Sequence, residues 1–200
     1  MNLIERVKKI IIEPKNEWAV IDQEDTQVTE LVMSYLLVLA LIPAVAAFIG
    51  YGLIGVSVPF AGKMVSLSWG IKQAIVIYIT FIGASFLSAF IIDSLAPSFG
   101  GIKDFRKAMQ LVVYSYTPML VVSIVNILPM LGFVSFLAGI YGLYVLYLGI
   151  GPLMKSPQDK ITGYFVVSLL VIIVVYFVLA GILGAFLIGG SMASGLMMSH

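Results

Sequence analysis

Five apolar runs, each about as long as a membrane-spanning helix, constrain this chain more than any other feature. They cover residues 31–53, 73–92, 108–128, 131–154 and 161–188. A helix needs roughly 20 apolar residues to cross the ~30 Å hydrocarbon core of a bilayer. Only 10% of the residues are charged, which is too few to cover a water-soluble surface. The sequence therefore predicts an all-α fold, a polytopic membrane bundle of five helices.

The segment before the first run predicts a short amphipathic helix and an acidic linker. Residues 2–13 carry apolar side chains at helical spacing, and Pro14 disfavours continuation of this helix. Its polar side carries basic residues, namely Arg6, Lys8 and Lys9, with Glu5 placed to pair with the lysines. The helix lies either in the headgroup layer or against the rest of the protein. In the linker, Trp18 is a candidate interfacial anchor.

Basic residues predict the orientation of the bundle. Five spans place the two termini on opposite sides of the membrane. If the N-terminus is cytoplasmic, only Lys63 and Lys72 of the 11 basic residues face the other side. We therefore expect residues 1–30 to be cytoplasmic, residues 31–190 to form the membrane domain, and residues 191–200 to form a short non-cytoplasmic tail.

Prolines predict irregular helices. Pro43 and Pro118 lie inside the first and third runs, where each removes a backbone hydrogen bond, so we expect kinks there. Pro129 and Met130 predict a tight turn between the third and fourth runs.

Acidic residues gather on the predicted cytoplasmic side and form the best candidate for an ion or partner site. The candidates are Glu24, Asp25, Glu30, Asp93 and Asp104. Carboxylate oxygens bind hard cations such as Mg²⁺ or Ca²⁺. The alternative is that these carboxylates are solvated or paired with Lys103, Arg106 and Lys107, and the sequence predicts no definite metal.

The fourth run carries small residues at heptad-like intervals. They are Gly132, Ser135, Gly139, Gly142 and Gly149. Small residues allow the backbones of membrane helices to approach closely. We expect this face to pack within one chain, and a homo-oligomer interface is the alternative.

Composition excludes several kinds of site. The chain has no Cys and its single His is His200, so thiolate sites, two-histidine zinc motifs and His-based triads are absent. A net charge of +1 gives no excess of cations for nucleic acid. No charged residue lies near the middle of any run, which weakens the case for an ion path. We expect no enzymatic activity and no cofactor.

A further pattern joins proline, aromatic and glycine residues along the chain. Pro14, Trp18 and an acidic residue precede the first run, and Tyr114-Ser115-Tyr116-Thr117-Pro118 lies in the third. The signature residues are Pro14, Trp18, Glu24, Gly100, Gly101, Tyr114, Tyr116, Pro118, Pro129, Tyr144 and Gly149. With this pattern and five spans, the chain resembles the Yip-one (Ypt-interacting protein) domain family, in its prokaryotic branch, over roughly residues 10–190.

The resemblance implies a membrane protein without known catalysis, in the inner membrane of a prokaryote. Eukaryotic relatives interact with Rab-type GTPases in vesicle traffic and have a long cytoplasmic N-terminal region, whereas about thirty residues precede the first span here. The leading hypothesis is a scaffold or adaptor whose partners are the lipid bilayer and a protein at the cytoplasmic face. The alternative is a small transporter or channel with a cytoplasmic carboxylate site.

Overall fold

The structure, a computed structural model, describes residues 2–58, 62–174, 176–178 and 181. Two short helices, α1 (Leu3–Ile12) and α2 (Pro14–Gln23), come first. Five helices follow that are long and apolar enough to cross a membrane: α3 (Val28–Ile54), α4 (Leu67–Phe99), α5 (Phe105–Ile127), α6 (Gly132–Met154) and α7 (Ile161–Val178). The predicted all-α membrane bundle of five helices with a short N-terminal helix is confirmed. The predicted tail at residues 191–200 lies outside the described residues.

The N-terminal segment contains more helix than predicted. The Asn2 side chain accepts a hydrogen bond from the Ile4 N–H and caps α1, which ends before Pro14 as predicted. Pro14 then begins α2, because a missing N–H costs nothing in the first turn of a helix. Most of the predicted linker is therefore a second helix, which packs against α1 and α6.

The spans α3 and α5 are irregular near their prolines. In α3, π-helical segments at Val32–Leu36 and Phe48–Ile54 flank the α-helical segment Leu37–Ala47 that contains Pro43. The span α5 consists of Phe105–Ser115, Thr117–Val122 and a 3₁₀ segment, Ser123–Ile127. The kink predicted at Pro118 is thus a break in the α-helix at Tyr116, followed by a new first turn that contains the proline.

The loop between the first two spans is shorter than the gap between the predicted runs 31–53 and 73–92. It contains a small antiparallel hairpin of β1 (Val56–Val58) and β2 (Gly62–Met64). Next, Ser66 accepts a hydrogen bond from the Trp69 N–H and caps α4, which starts before the predicted residue 73 and ends beyond residue 92. At 33 residues α4 is about 50 Å long, so it extends past a ~30 Å hydrocarbon layer. The turn predicted at Pro129 is a 3₁₀ turn, Pro129–Leu131.

The buried core lies mainly at one end of the bundle, where α1 and α2 pack against the ends of the spans. We call this end the head, formed by residues 3–39, 88–115 and 145–164. Its largest fully buried side chains are those of Ile10, Trp18, Ile21, Leu31, Leu36, Ile92, Met109, Leu111, Ile150, Met154 and Tyr164. The opposite half exposes many apolar side chains, including Ile75, Ile79, Phe133, Phe136 and Phe177, because lipid can cover them.

Candidate functional site

Trp18 is the centre of the junction between the N-terminal helices and the membrane bundle. Its side chain is fully buried, and its Nε1 donates a hydrogen bond to the Val145 carbonyl of α6 at 3.0 Å. Its ring meets the Tyr114 ring edge-on, with centroids 6.3 Å apart. The expected role as an interfacial anchor is therefore wrong. A buried indole needs a partner for its N–H, and here that partner fixes α2 on the bundle.

Two glycines of α6 allow α2 and α5 to approach that helix closely. A Cβ on Gly149 would lie 2.6 Å from Trp18 Cε2 and 2.5 Å from Leu111 Cδ1. A Cβ on Gly142 would lie 2.6 Å from the Ser115 carbonyl oxygen of α5. These two positions accordingly pack within the chain, which is the first of the two alternatives raised by the small-residue pattern.

The other small residues of that pattern have looser surroundings. A Cβ on Gly139 would contact Met119 at an ordinary 3.5 Å, and one on Gly132 would meet nothing within 4 Å. The Ser135 hydroxyl donates to Asn126 Oδ1 at 2.9 Å. The pattern therefore combines close packing near the head with open space at the other end of α6.

Arg6 lies inside the head. Its side chain is only 5% exposed, and Nη1 donates to Glu17 Oε1 at 2.5 Å while Nη2 pairs with Glu24. The guanidinium also lies 5.3 Å from the centre of the Tyr114 ring. Arg6 is thus not on the exposed polar side of α1, as the sequence suggested. Its burial fixes α1 in place, because a buried charge is stable only with its partners.

Of the two placements considered for α1, packing against the protein is the one observed. Arg6 and Ile10 face inward, whereas Ile4 and Ile12 remain exposed. The predicted surface pair is also present, with Lys9 Nζ 2.9 Å from Glu5 Oε1. Contact of the outer face of α1 with headgroups stays a prediction.

The predicted carboxylate cluster is dispersed over separate partners. Glu24 pairs with Arg6, and Asp25 pairs with Arg106. Asp104 caps α5 by accepting hydrogen bonds from the first-turn N–H groups of that helix. Within the part of the chain that the structure describes, no group of three such side chains could hold a metal ion. Glu24 and Asp25 are therefore paired with basic residues, which was the alternative to a shared ion site.

Asp93 and Glu30 differ from those paired carboxylates. Asp93 is 5% exposed at the end of α4, and its Oδ1 has no hydrogen-bond partner among the described residues. Glu30 is exposed in the first turn of α3. An acidic residue is favourable at that position because of the positive end of the helix dipole.

Two basic residues outside α1 and α2 also hold the head together. Lys107 Nζ donates to the backbone carbonyls of Ile21, Asp22 and Glu24 at 2.8–3.1 Å, at the C-terminal end of α2. Lys155 Nζ lies 2.6 Å from Asp22 Oδ2. These contacts could not be predicted from the sequence, since positive charge near spans is expected for orientation alone.

Most of the remaining signature residues occupy the head or its edge. Gly100 has a positive φ of 68°, and a Cβ on Gly101 would lie 2.7 Å from the Met154 carbonyl oxygen. The Tyr116 hydroxyl lies 3.1 Å from Ser88 Oγ. Tyr144, in contrast, is 52% exposed and outside the head. Most of the signature therefore specifies how the N-terminal helices, the loop at residues 100–104 and α6 fit together.

A cavity of about 230 Å³ lies in the half of the bundle opposite the head. Residues of all five spans line it: Pro43, Ala47, Tyr51, Ile77, Phe81, Met119, Ser123, Asn126, Gly132, Ser135 and Tyr176. Its polar groups are uncharged hydroxyls and one amide. The 3₁₀ segment of α5 forms part of its wall, and broken helices are typical of solute sites in transporters.

Comparison with known proteins gives a family match. The family model described as the Yip1 domain matches residues 8–195, from α1 to beyond the described part of α7. No curated protein and no solved structure matches the chain.

Proposed function

Because this chain belongs to the Yip1 domain family, and is a multi-pass membrane protein, we propose that it is a non-enzymatic scaffold or adaptor. In this proposal the head faces the cytoplasm of a prokaryotic cell and recruits a protein partner, while the spans anchor it in the inner membrane. The C-terminus then lies on the other side of the membrane. The positive-inside bias supports this orientation.

The observation that carries the proposal is the set of buried contacts that fix α1 and α2 to the bundle. Trp18 and Arg6 hold α1 and α2 against the bundle, and Lys107 holds the end of α2. A surface fixed in this way loses little conformational entropy on binding, which favours recognition of a partner. The exposed charged side chains of the head include Lys8, Glu13, Lys15, Lys103, Asp159 and Lys160.

Charge reversal on the surface of the head tests the proposal. Lys15→Glu and Lys103→Glu change exposed side chains that form no ion pair among the described residues, so the fold should be retained. The matched control is Lys72→Glu, which is also exposed but lies at the end of α4 away from the head. We expect proteins crosslinked to the head in native membranes, quantified by mass spectrometry, to fall severalfold for the head variants only. Equal recovery from all three variants would refute recruitment by this surface.

The cavity in the opposite half supports a second candidate, the passage of a small uncharged solute. Its lining lacks charged side chains, so the cation site first considered for a transporter is not the best match. Gly132→Leu should fill the cavity without a clash at Cβ, because nothing lies within 4 Å of that position. Uptake of uncharged polyols into proteoliposomes should then be blocked by Gly132→Leu. Background uptake by the unmodified protein would end this candidate.

A further inference from the structure

A second cavity, of about 120 Å³, lies inside the head between α1 and the beginning of α3. It is lined by Leu3, Arg6, Glu24, Thr26, Glu30, Leu31, Ser34, Tyr35 and Tyr114. Tyr35, Leu31 and Arg6 are buried and form its inner wall, whereas Glu30 and Ser34 are exposed at its mouth. Glu30 is the last charged residue before the apolar part of α3, so we expect the mouth to lie at the depth of the lipid headgroups.

The charges around this cavity favour a cation. Its single guanidinium, that of Arg6, is engaged by both Glu17 and Glu24. Glu30 forms no ion pair among the described residues, so the carboxylates exceed the cation at the cavity. The nearby Lys107 does not line the cavity and donates instead to carbonyls at the end of α2. An anionic ligand would meet an excess of negative charge, and both Nη atoms of Arg6 already pair with glutamate carboxylates.

Tyr114 supplies an independent indication of a ligand. The residue is 4% exposed, and its side chain lines the cavity. Its hydroxyl has no hydrogen-bond partner among the described residues, whereas the Tyr35 hydroxyl is 2.9 Å from Thr117 Oγ1. The hydroxyl oxygen is not among the fully buried atoms that lack a partner, so it is accessible, and we infer that it opens into the cavity, where a ligand can hydrogen-bond to it.

We propose that this cavity binds a primary ammonium group, presented by the ethanolamine headgroup of a phospholipid. An ammonium has three N–H donors. The cavity offers the carboxylates of Glu24 and Glu30 and the hydroxyl of Tyr114 as acceptors. Leu3 and Leu31 line the apolar part of the wall, beside which the carbon atoms of the headgroup can lie. The inference concerns lipid binding and holds whether or not the head recruits a protein.

Lipid selectivity of the purified full-length protein tests this inference. Native mass spectrometry from detergent measures binding of phosphatidylethanolamine against phosphatidylcholine with the same acyl chains. The choline headgroup has the same charge but no N–H donor, so we expect the ethanolamine lipid to bind at least about fivefold more tightly. Free ethanolamine is assayed in parallel by thermal shift to distinguish a soluble amine from a lipid. Stabilisation by ethanolamine at low concentration would show that the amine binds without the rest of the lipid.

Variants locate the binding. Glu30→Gln should weaken binding of the ethanolamine lipid by about two- to fivefold, the range expected for the loss of an exposed charge pair. Tyr114→Phe should weaken it further without removing the ring that packs on Trp18. Asp159→Asn, at an exposed carboxylate of the loop at residues 155–160, is the matched control and should leave this binding unchanged. Equal binding of both lipids by the unmodified protein, or unchanged binding of the ethanolamine lipid in Glu30→Gln and Tyr114→Phe, would overturn the inference.

Discussion

Replacement of Gly149 by alanine tests whether Trp18 holds the head together. The added Cβ would be 2.6 Å from Trp18 Cε2 and 2.5 Å from Leu111 Cδ1. Normal carbon contacts are about 3.5–4.0 Å, so the rings or helices must separate by about 1 Å. Leu111 can change rotamer, but the Trp18 indole is fully buried and tied to the Val145 carbonyl. Overpacking of this kind costs about 1–3 kcal/mol.

The helix propensity of alanine partly offsets that cost. Alanine is favoured over glycine in a helix by about 1 kcal/mol. We therefore expect Gly149→Ala to lower the unfolding free energy by up to about 2 kcal/mol, and the Tm by up to about 8 °C for a chain of this size. Thermal melts followed by circular dichroism in detergent measure this shift. Gly132→Ala in the same helix is the control, because its Cβ meets nothing within 4 Å and the Tm should not fall.

A double-mutant cycle then assigns the cost to Trp18. In a Trp18→Leu background the ring is gone, so Gly149→Ala should become neutral or slightly stabilising. Trp18→Leu itself should be destabilising, since it removes a buried ring and its hydrogen bond to the Val145 carbonyl. The reasoning fails if Gly149→Ala is as well tolerated as Gly132→Ala, or if its cost is the same in both backgrounds.

Three further changes follow from individual contacts. Glu17→Gln removes the charge of one of the two carboxylates that pair with buried Arg6, and because Glu24 still pairs with it we expect destabilisation by about 1.5–3 kcal/mol in the same melt. Gly100→Ala should cost about 1 kcal/mol because φ is positive there, whereas Gly83→Ala, with open space around its Cβ, should not destabilise. Tyr164→Phe removes a buried hydrogen bond to a carbonyl of α4 and should cost about 1 kcal/mol, a loss that a chemical denaturation midpoint can detect.

The spans could be predicted from the sequence because lipid imposes a simple rule of length and polarity. The predicted fourth run, residues 131–154, differs from α6 by one residue at its start. The ends of α4 could not be predicted, because the residues that extend it are polar enough to resemble a loop and are helical through local capping. A hydropathy pattern identifies where a chain enters lipid and does not identify where a helix ends outside it.

The contacts of the candidate site could not be predicted from the sequence, for a different reason. Trp18 and Val145 are 127 residues apart, and nothing local in the sequence pairs them. Trp and Arg beside a membrane span have ordinary interfacial roles, so Trp18 and Arg6 were assigned to the surface. The family signature was the one sequence feature that grouped these residues, since Trp18, Tyr114 and Gly149 belong to one pattern and meet at one junction.

The location of that junction bears on which function the family signature supports. The signature residues Trp18, Tyr114 and Gly149 order the head, whereas the cavity shared by all five spans is lined by none of these three. A protein selected for passage of a solute should concentrate its specific contacts around the path. Here the specific contacts fix two N-terminal helices and the polar surface that they present. That distribution favours recruitment at the head over transport, and head variants should therefore lose function while Gly132→Leu keeps it.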